Sequence, residues 1–181
     1  LDLPSEGDNP NAVAERGYKR LLDPDQPGLI SKAAGNRIQL GNIRDDFDQL
    51  AGCDWIAEAV VERLDIKKDL YKRLAQACSD QAIITSNTST IPIRLLVEDM
   101  PVSFQKRFAI THFFNPVRFM RLLELVRGEV TDIAVMDRLD AFCEKQLGKG
   151  VVRCLDTPGF LGNRVGVYAI QCALHAAIDL G

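Results

Sequence analysis

The sequence lacks the signatures of several protein classes. No apolar run approaches the roughly 20 residues that a membrane helix needs, so no membrane association is expected. The net charge is only −3, which gives no electrostatic case for a nucleic-acid partner. No GxGxxG motif occurs in the 181 residues, and its absence alone counts against a dinucleotide site.

Metal-ligating residues are also scarce. The chain has two histidines and five cysteines, and no two cysteines form a CxxC pair. An odd number of scattered cysteines argues against a disulfide framework, and the lack of a thiolate cluster argues against a zinc site. We therefore expect no metal, and we expect buried free thiols in a reducing, cytoplasmic compartment.

Strand-like and helix-like segments alternate along the chain. Strands are predicted around 38–40, 53–62, 82–85, 107–114, 121–128 and 147–154. Helices are predicted at about 12–22, 65–79, 91–98, 132–147 and 162–180. This alternation is typical of an α/β fold with a mostly parallel sheet and helices on both faces.

One helix has a clear apolar spacing. Ile66, Leu70, Leu74 and Cys78 recur every four residues, which predicts the face that packs on the sheet.

Ligands of such folds bind outside the carboxyl ends of the strands, so polar residues at strand exits are the candidate site residues. These are Asp2, Glu62, the turn 86–90, His112, Glu124 and the loop 156–164.

His112 and Glu124 form the first candidate pair. Glu124 lies inside the apolar run LLELV, where a carboxylate needs a partner, and His112 ends the preceding strand. A carboxylate fixes the tautomer of an imidazole and suits it to act as a general base. The alternatives are a purely structural pair and a Glu124 that faces solvent.

Three other polar groups have a functional and a simpler interpretation. The turn SNTST at 86–90 can donate to a ligand or cap the next helix, and its spacing favours capping. Glu62 and Lys67 can hold a ribose or be solvated charges at a helix start. Asn163 is expected in the first turn of the last helix, pointing towards the strand ends, or as an ordinary helix residue.

Several motifs together resemble the 3-hydroxyacyl-CoA dehydrogenase family. They are EAVVE at 58–62, SNTS at 86–89, HFFNP at 112–116, LLELVRG at 122–128 and DTPGFLGNR at 156–164. The resemblance covers nearly all of the chain, and the segment 147–166 is most similar to the long bacterial fatty-acid-oxidation members. It implies a Rossmann-like, doubly wound sheet that lacks the family's first strand and glycine loop.

The resemblance also implies a domain organisation. Residues 1–155 are expected to be an incomplete NAD-binding domain. Residues 156–181 are expected to be a linker loop and the first helix of a helical C-terminal domain. A homodimer formed through that helical domain is a further expectation.

The resemblance assigns roles to individual residues. His112 matches the general base and Glu124 the acid that orients it, while Ser89 and Asn163 match catalytic and substrate-binding residues. The residues that match the cofactor site are Asp2, Val60, Val61, Glu62, Lys67, Ser89 and Asn115. An acidic residue at position 2 disfavours a 2′-phosphate, so the expected cofactor is NAD.

The expected activity is the NAD-dependent oxidation of an L-3-hydroxyacyl-CoA in fatty-acid β-oxidation, with an acyl-CoA as the substrate. Two alternatives remain open at this stage. One is a non-catalytic structural or binding protein with the same fold, and the other is a related dehydrogenase of another 3-hydroxy acid.

Overall fold

The fold is described for residues 1–25, 28–29 and 31–180 of a computed structural model. The chain divides into two units, Leu1–Gly52 and Cys53–Gly181. The expected domain boundary at residue 155 stays a prediction, and Gly181 lies outside the described residues.

The first unit has short elements. Helices α1 and α2 span Ala12–Leu21 and Lys32–Gly35, and a 3₁₀ helix spans Phe47–Gly52. Asp2 forms an isolated parallel bridge with Asn42.

The strand predicted at 38–40 is wrong, because these residues are irregular and the bridging residue lies further along the chain. The side chain of Asn42 accepts N–H groups of Arg44 and Asp45 at 3.0 and 2.9 Å. These bonds form a local turn in place of a strand ladder.

The second unit contains a five-stranded sheet in the order β1-β2-β3-β4-β5. The strands are β1 Trp55–Glu58, β2 Ile83–Ser86, β3 Phe108–Phe113, β4 Leu122–Arg127 and β5 Gly150–Cys154. Three neighbouring pairs are parallel, and only β3 and β4 are antiparallel. The carboxyl ends of β1, β2 and β3 and the amino end of β4 therefore lie at one edge of the sheet.

Helices connect and flank these strands. They are α3 Leu64–Ala77, α4 Ile93–Val97, α5 Val102–Lys106, α6 Ile133–Lys145 and α7 Gly162–Leu180. Helix α5 was not predicted, because only the five residues 102–106 lie between Pro101 and the strand predicted at 107–114. The predicted mostly parallel α/β architecture is confirmed. Among the described residues, no helix combines the length and apolar character needed to cross a membrane.

One apolar core cluster lies between the sheet and α6. It is formed by Ile83, Ala109, Leu125, Met136 and Leu139, each at most 3% exposed. Burial of each large aliphatic side chain stabilises the fold by about 2 kcal/mol. This core fixes the register of the strands and so fixes where their polar ends lie.

The inner face of α3 agrees with the prediction only in its second half, where Leu74 and the C-cap residue Cys78 are buried. Its buried residues are Lys67, Tyr71 and Leu74, whereas Ile66 is 36% exposed. In the first half of the helix, Lys67 and Tyr71 lie inward in place of Ile66 and Leu70, and apolar spacing alone does not anticipate a buried lysine.

The prediction of buried thiols is only partly right. Cys78 and Cys143 are buried, Cys53 and Cys154 are half-buried, and Cys172 on α7 is exposed. The long helix α7 has no buried residue among those described, and Cys172 lies in its part 164–180, where every residue is exposed.

Candidate active site

His112 and Glu124 meet across β3 and β4. They are direct partners in the antiparallel register, and Nδ1 of His112 lies 2.7 Å from Oε2 of Glu124. His112 is 7% exposed and Glu124 is fully buried. The carboxylate engages Nδ1, so Nε2 is the nitrogen that can exchange a proton with a ligand.

The second oxygen of Glu124 binds the start of α7. Oε1 accepts the backbone N–H groups of Leu161 and Gly162 at 2.8 and 2.6 Å. These bonds explain how a carboxylate is tolerated in an apolar strand. They also link the His112 pair to the helix that carries Asn163, which is half-buried in the first turn of α7.

Two aromatic rings enclose His112. The ring centroids of Phe114 and Phe160 lie 4.7 and 5.7 Å from that of the imidazole. A side chain at position 162 would disturb this packing, because a Cβ there would lie 2.8 Å from Cζ of Phe114 and the ring would have to shift. These contacts limit the rotation of the imidazole.

The turn after β2 is held by hydrogen bonds to Glu62. Oε1 of Glu62 accepts the hydroxyl of Thr88, the hydroxyl of Thr90 at 3.0 Å and the N–H of Ser89 at 3.3 Å. Ser89 is thereby held at the strand exit, half-buried.

The prediction that this turn caps the next helix is wrong. Pro92 is the N-cap of α4, and the first helical N–H, from Ile93, donates to Asp156 at 2.9 Å. Asp156 lies 63 positions away in the chain, so sequence spacing could not identify it as the partner.

Glu62 is ionised at neutral pH. Burial favours its neutral form, but hydrogen bonds from Thr88 and Thr90 and the charge of Lys67 outweigh this effect and lower the pKa of the carboxyl. The side chain of Glu62 is 39% exposed, so an acceptor remains available to a ligand.

Lys67 lies deeper than its expected role suggests. Its side chain is 1% exposed, and Nζ lies 2.8 Å from Glu58, 3.4 Å from Glu62 and 3.4 Å from the carbonyl of Val60. The N–H of Val60 donates to Glu58 at 2.6 Å, and Val61 is 54% exposed. Val60, Val61 and Glu62 thus lie in the segment that follows the carboxyl end of β1.

Asn115 and Asp2 are the remaining predicted residues. Asn115 is exposed and precedes Pro116 through a cis peptide bond, in a loop whose carbonyls at Val117 and Met120 bind Lys149. Asp2 lies in the first unit, exposed, with Oδ1 accepting the N–H of Leu3 at 2.7 Å.

Sequence reasoning missed two residues of this region. Glu58 was counted within an apolar strand, although a carboxylate inside such a strand is the same signal that identified Glu124. Asn87 was considered only as part of a polar turn, but its Oδ1 accepts the N–H of Phe113 at 2.9 Å. No residue pattern distinguishes that contact from a solvated amide.

Comparisons with known proteins give concordant matches. A family model described as 3-hydroxyacyl-CoA dehydrogenase, NAD binding domain, matches residues 8–157. A Deinococcus radiodurans protein named as a 3-hydroxyacyl-CoA dehydrogenase is 40% identical over 173 residues, covering 96% of this chain and 50% of that protein. The match to an NAD-binding domain confirms NAD as the expected cofactor.

A longer relative and a solved structure match over a similar extent. A Rickettsia felis protein whose name describes a fatty acid oxidation complex trifunctional enzyme is 39% identical over 177 residues, covering 98% of this chain and 25% of that protein. The crystal structure of M. tuberculosis FadB2 has a TM-score of 0.75 at 28% identity, covering 95% of this chain and 60% of that one. The chain therefore spans about a quarter of the length of the Rickettsia felis relative and about half of the length of the Deinococcus radiodurans relative.

Proposed function

Since the chain belongs to the 3-hydroxyacyl-CoA dehydrogenase family, we propose that it takes part in the NAD-dependent oxidation of an L-3-hydroxyacyl-CoA to a 3-ketoacyl-CoA. The observation that carries this proposal is the 2.7 Å contact between Nδ1 of His112 and Oε2 of Glu124 at the ligand-facing edge of the sheet. A buried, oriented imidazole is the group that alcohol oxidation needs as a base.

The described residues fit the cofactor. Glu62 is ionised and partly exposed, so it can accept hydrogen bonds from ribose hydroxyls, and Ser89 supplies a hydroxyl beside it. In the first unit, the resemblance assigns to Asp2 the ribose-binding acid of the family, and such an acid disfavours a 2′-phosphate. Bound NAD supplies an acceptor for the hydride that leaves C3 of the substrate.

His112 and Glu124 handle the proton in this proposal. Nε2 of His112 takes the proton of the 3-hydroxyl as the C3–H bond breaks and the C=O bond forms. Glu124 holds the imidazole in the tautomer with a proton on Nδ1 and stabilises the imidazolium that results. The backbone bonds of Leu161 and Gly162 keep Glu124 in place during this step.

Other residues position the reactants. Ser89 and Asn163 donate hydrogen bonds to the reacting oxygen and the acyl group, and donors of this kind favour the developing carbonyl. Val60, Val61 and Asn115 line the cofactor side, and Lys67 acts there through Glu62.

A role in fatty-acid β-oxidation, as part of a longer protein of the bacterial type, is a finer proposal. The printed name of the Rickettsia felis relative supports it, because that protein is 39% identical over nearly the whole of this chain.

The variant His112→Gln, made in the whole protein as it occurs in nature, tests whether His112 is the base. We expect kcat with a 3-hydroxyacyl-CoA and NAD to fall by about 10²- to 10⁴-fold, with little change in KM, because Gln cannot accept the proton. NADH formation followed by absorbance measures both constants. His175→Gln is the matched control, since His175 is the other histidine and is exposed on α7.

Two results would contradict the proposal. Undiminished turnover by His112→Gln would remove the assigned role. Absence of NADH formation by the wild-type protein with acyl-CoA substrates, but activity with a free 3-hydroxy acid, would favour the related dehydrogenase.

A further inference from the structure

A lysine lies between two carboxylates beneath the candidate cofactor site. Nζ of Lys67 is 2.8 Å from Oε1 of Glu58 and 3.4 Å from Oε2 of Glu62. Its third contact is the carbonyl of Val60, so all three N–H donors are directed at protein acceptors. In this arrangement the ammonium holds the two acids together.

Glu58 is the inner of the two acids, and its side chain is 1% exposed. Oε1 accepts from Lys67 and from the N–H of Val60 at 2.6 Å. Oε2 accepts from the hydroxyl of Tyr71 at 2.5 Å and from that of Ser86 at 2.6 Å. Four donors thus compensate for the burial of one charge.

Tyr71 remains a donor to this carboxylate at any ordinary pH. Burial, followed by the charge of Glu58, raises the pKa of the phenol far above its usual value. The ring itself packs against Phe104 and Phe108 with centroid distances of 6.1 and 5.1 Å. The network is therefore built into the core that supports β2 and β3.

Glu62 is the outer acid and connects the network to the site. Oε2 faces Lys67, and Oε1 binds Thr88, Thr90 and the N–H of Ser89. A displacement of Lys67 would leave Oε2 without its cationic partner and allow the carboxylate to rotate. The turn that carries Ser89 would then lose the acceptor that holds it.

We propose that Glu58 is a positioning residue for the cofactor: through Lys67 it fixes the carboxylate of Glu62 and the Ser89 turn in the geometry that receives a ribose of NAD. This inference rests on the proposed function, because it assumes that Glu62 and Ser89 face NAD. Glu58 touches neither the cofactor nor the substrate in this role.

A purely structural network predicts different behaviour. Loss of Glu58 would then lower stability but leave the affinity of the folded molecules for NADH unchanged. Breaking one partner of a buried ion pair is strongly destabilising, whereas removing both is often tolerated. The double variant Glu58→Gln/Lys67→Met therefore separates positioning from folding.

The experiment measures NADH binding by fluorescence titration without substrate, with the folded fraction determined by circular dichroism. We expect the dissociation constant of the double variant to rise by about tenfold or more, since the charged contact that orients Glu62 is gone. Tyr71→Phe, which keeps the ring, should give a smaller rise of about two- to tenfold. Lys68→Met is the matched control, because Lys68 is the next residue of α3 and pairs with Glu98 and Asp99 at the surface.

The turnover constants provide a second readout. KM for NAD should rise more than kcat falls, because the contact between His112 and Glu124 is untouched. Wild-type NADH affinity in both the double variant and Tyr71→Phe would overturn the proposal. If the double variant does not fold, Tyr71→Phe decides by the same criterion.

The two proposals fail in distinguishable ways. Binding is measured without substrate, so a wild-type protein that does not oxidise 3-hydroxyacyl-CoA would refute the proposed function and leave the binding comparison valid.

Discussion

Asn87 connects three strands at the edge where the candidate site lies. Its backbone N–H donates to the carbonyl of Glu58 at the end of β1, at 2.8 Å. Its side-chain oxygen accepts the N–H of Phe113, the residue after His112, at 2.9 Å. One residue thus fixes the turn after β2 relative to the strand that carries the imidazole.

Asn87→Ala should weaken both stability and turnover. The partly buried N–H of Phe113 loses its acceptor, which costs about 1 kcal/mol of unfolding free energy. Because His112 is adjacent, kcat should fall by roughly tenfold as the base loses its alignment. Urea unfolding and steady-state kinetics measure the two effects.

Gln76→Ala is the control for Asn87→Ala, since Gln76 is exposed on α3. A folded Asn87→Ala protein with wild-type kcat would show that this contact does not position His112.

The beginning of α7 is the element on which the site depends most. The N–H groups of Leu161, just before the helix, and of Gly162, its first residue, donate to Glu124, and its second residue is Asn163. The helix therefore starts where the orienting carboxylate requires it to start. Its two early glycines have different surroundings: a Cβ at Gly162 would collide with Phe114, whereas a Cβ at Gly166 would meet nothing within 4 Å.

Substituting these two glycines separates helix propensity from site geometry. Gly166→Ala should stabilise the protein by up to about 1 kcal/mol, because alanine is the better helix former. Gly162 is the first residue of α7, where alanine gains little over glycine, and the Cβ of Gly162→Ala must displace the Phe114 ring, which contacts His112. We expect kcat to fall in Gly162→Ala only.

Thermal unfolding and kinetics of both glycine variants provide the measurement. Equal kcat values for Gly162→Ala and Gly166→Ala would mean that the Phe114 ring moves without disturbing His112.

Helix α3 illustrates what sequence can predict at this scale. Its existence, its approximate ends and the burial of Leu74 and Cys78 follow from its apolar spacing, but the inward position of Lys67 does not. Lys67 lies on the inner side of the helix because it pairs there with Glu58 and Glu62. Those two partners belong to β1 and to the segment after it. Periodicity assigns apolar residues to the inside and has no means of weighing a buried ion pair.

Across the whole molecule, the sequence could predict contacts between side chains of neighbouring strands. It could not predict contacts between segments that lie far apart in the chain. His112 and Glu124 lie 12 positions apart on neighbouring strands, so a carboxylate in an apolar run was enough to pair them. The bond from Ile93 to Asp156 and those from Leu161 and Gly162 to Glu124 join backbone amides to distant carboxylates. Every residue except proline has a backbone N–H, so the sequence does not show which one binds a distant carboxylate. Only the fold reveals such pairs.

The stability of the molecule should decline at alkaline pH because of Cys143. This thiol is fully buried on α6, and burial, reinforced by the charge of Asp140, raises its pKa from an ordinary value of 9.0 to about 11. Between these two values the unfolded chain releases a proton that the folded chain keeps. The contribution of Cys143 is therefore fully present below pH 9 and is lost as pH rises towards 11, by up to roughly 1.4 kcal/mol per pH unit.

Cys143→Ala removes this contribution, so its unfolding free energy should fall less steeply than that of the wild type between pH 9 and 11. Urea unfolding at a series of pH values measures the slope, and comparing slopes cancels the constant loss of packing in the variant. Cys172→Ala is the control, because its thiol is exposed and its removal should leave the slope unchanged. If the wild type and Cys143→Ala have the same slope, the buried thiol already ionises near its ordinary pKa, and the alkaline decline has to arise from other groups such as Cys78 and Cys154, whose pKa values are also raised by burial.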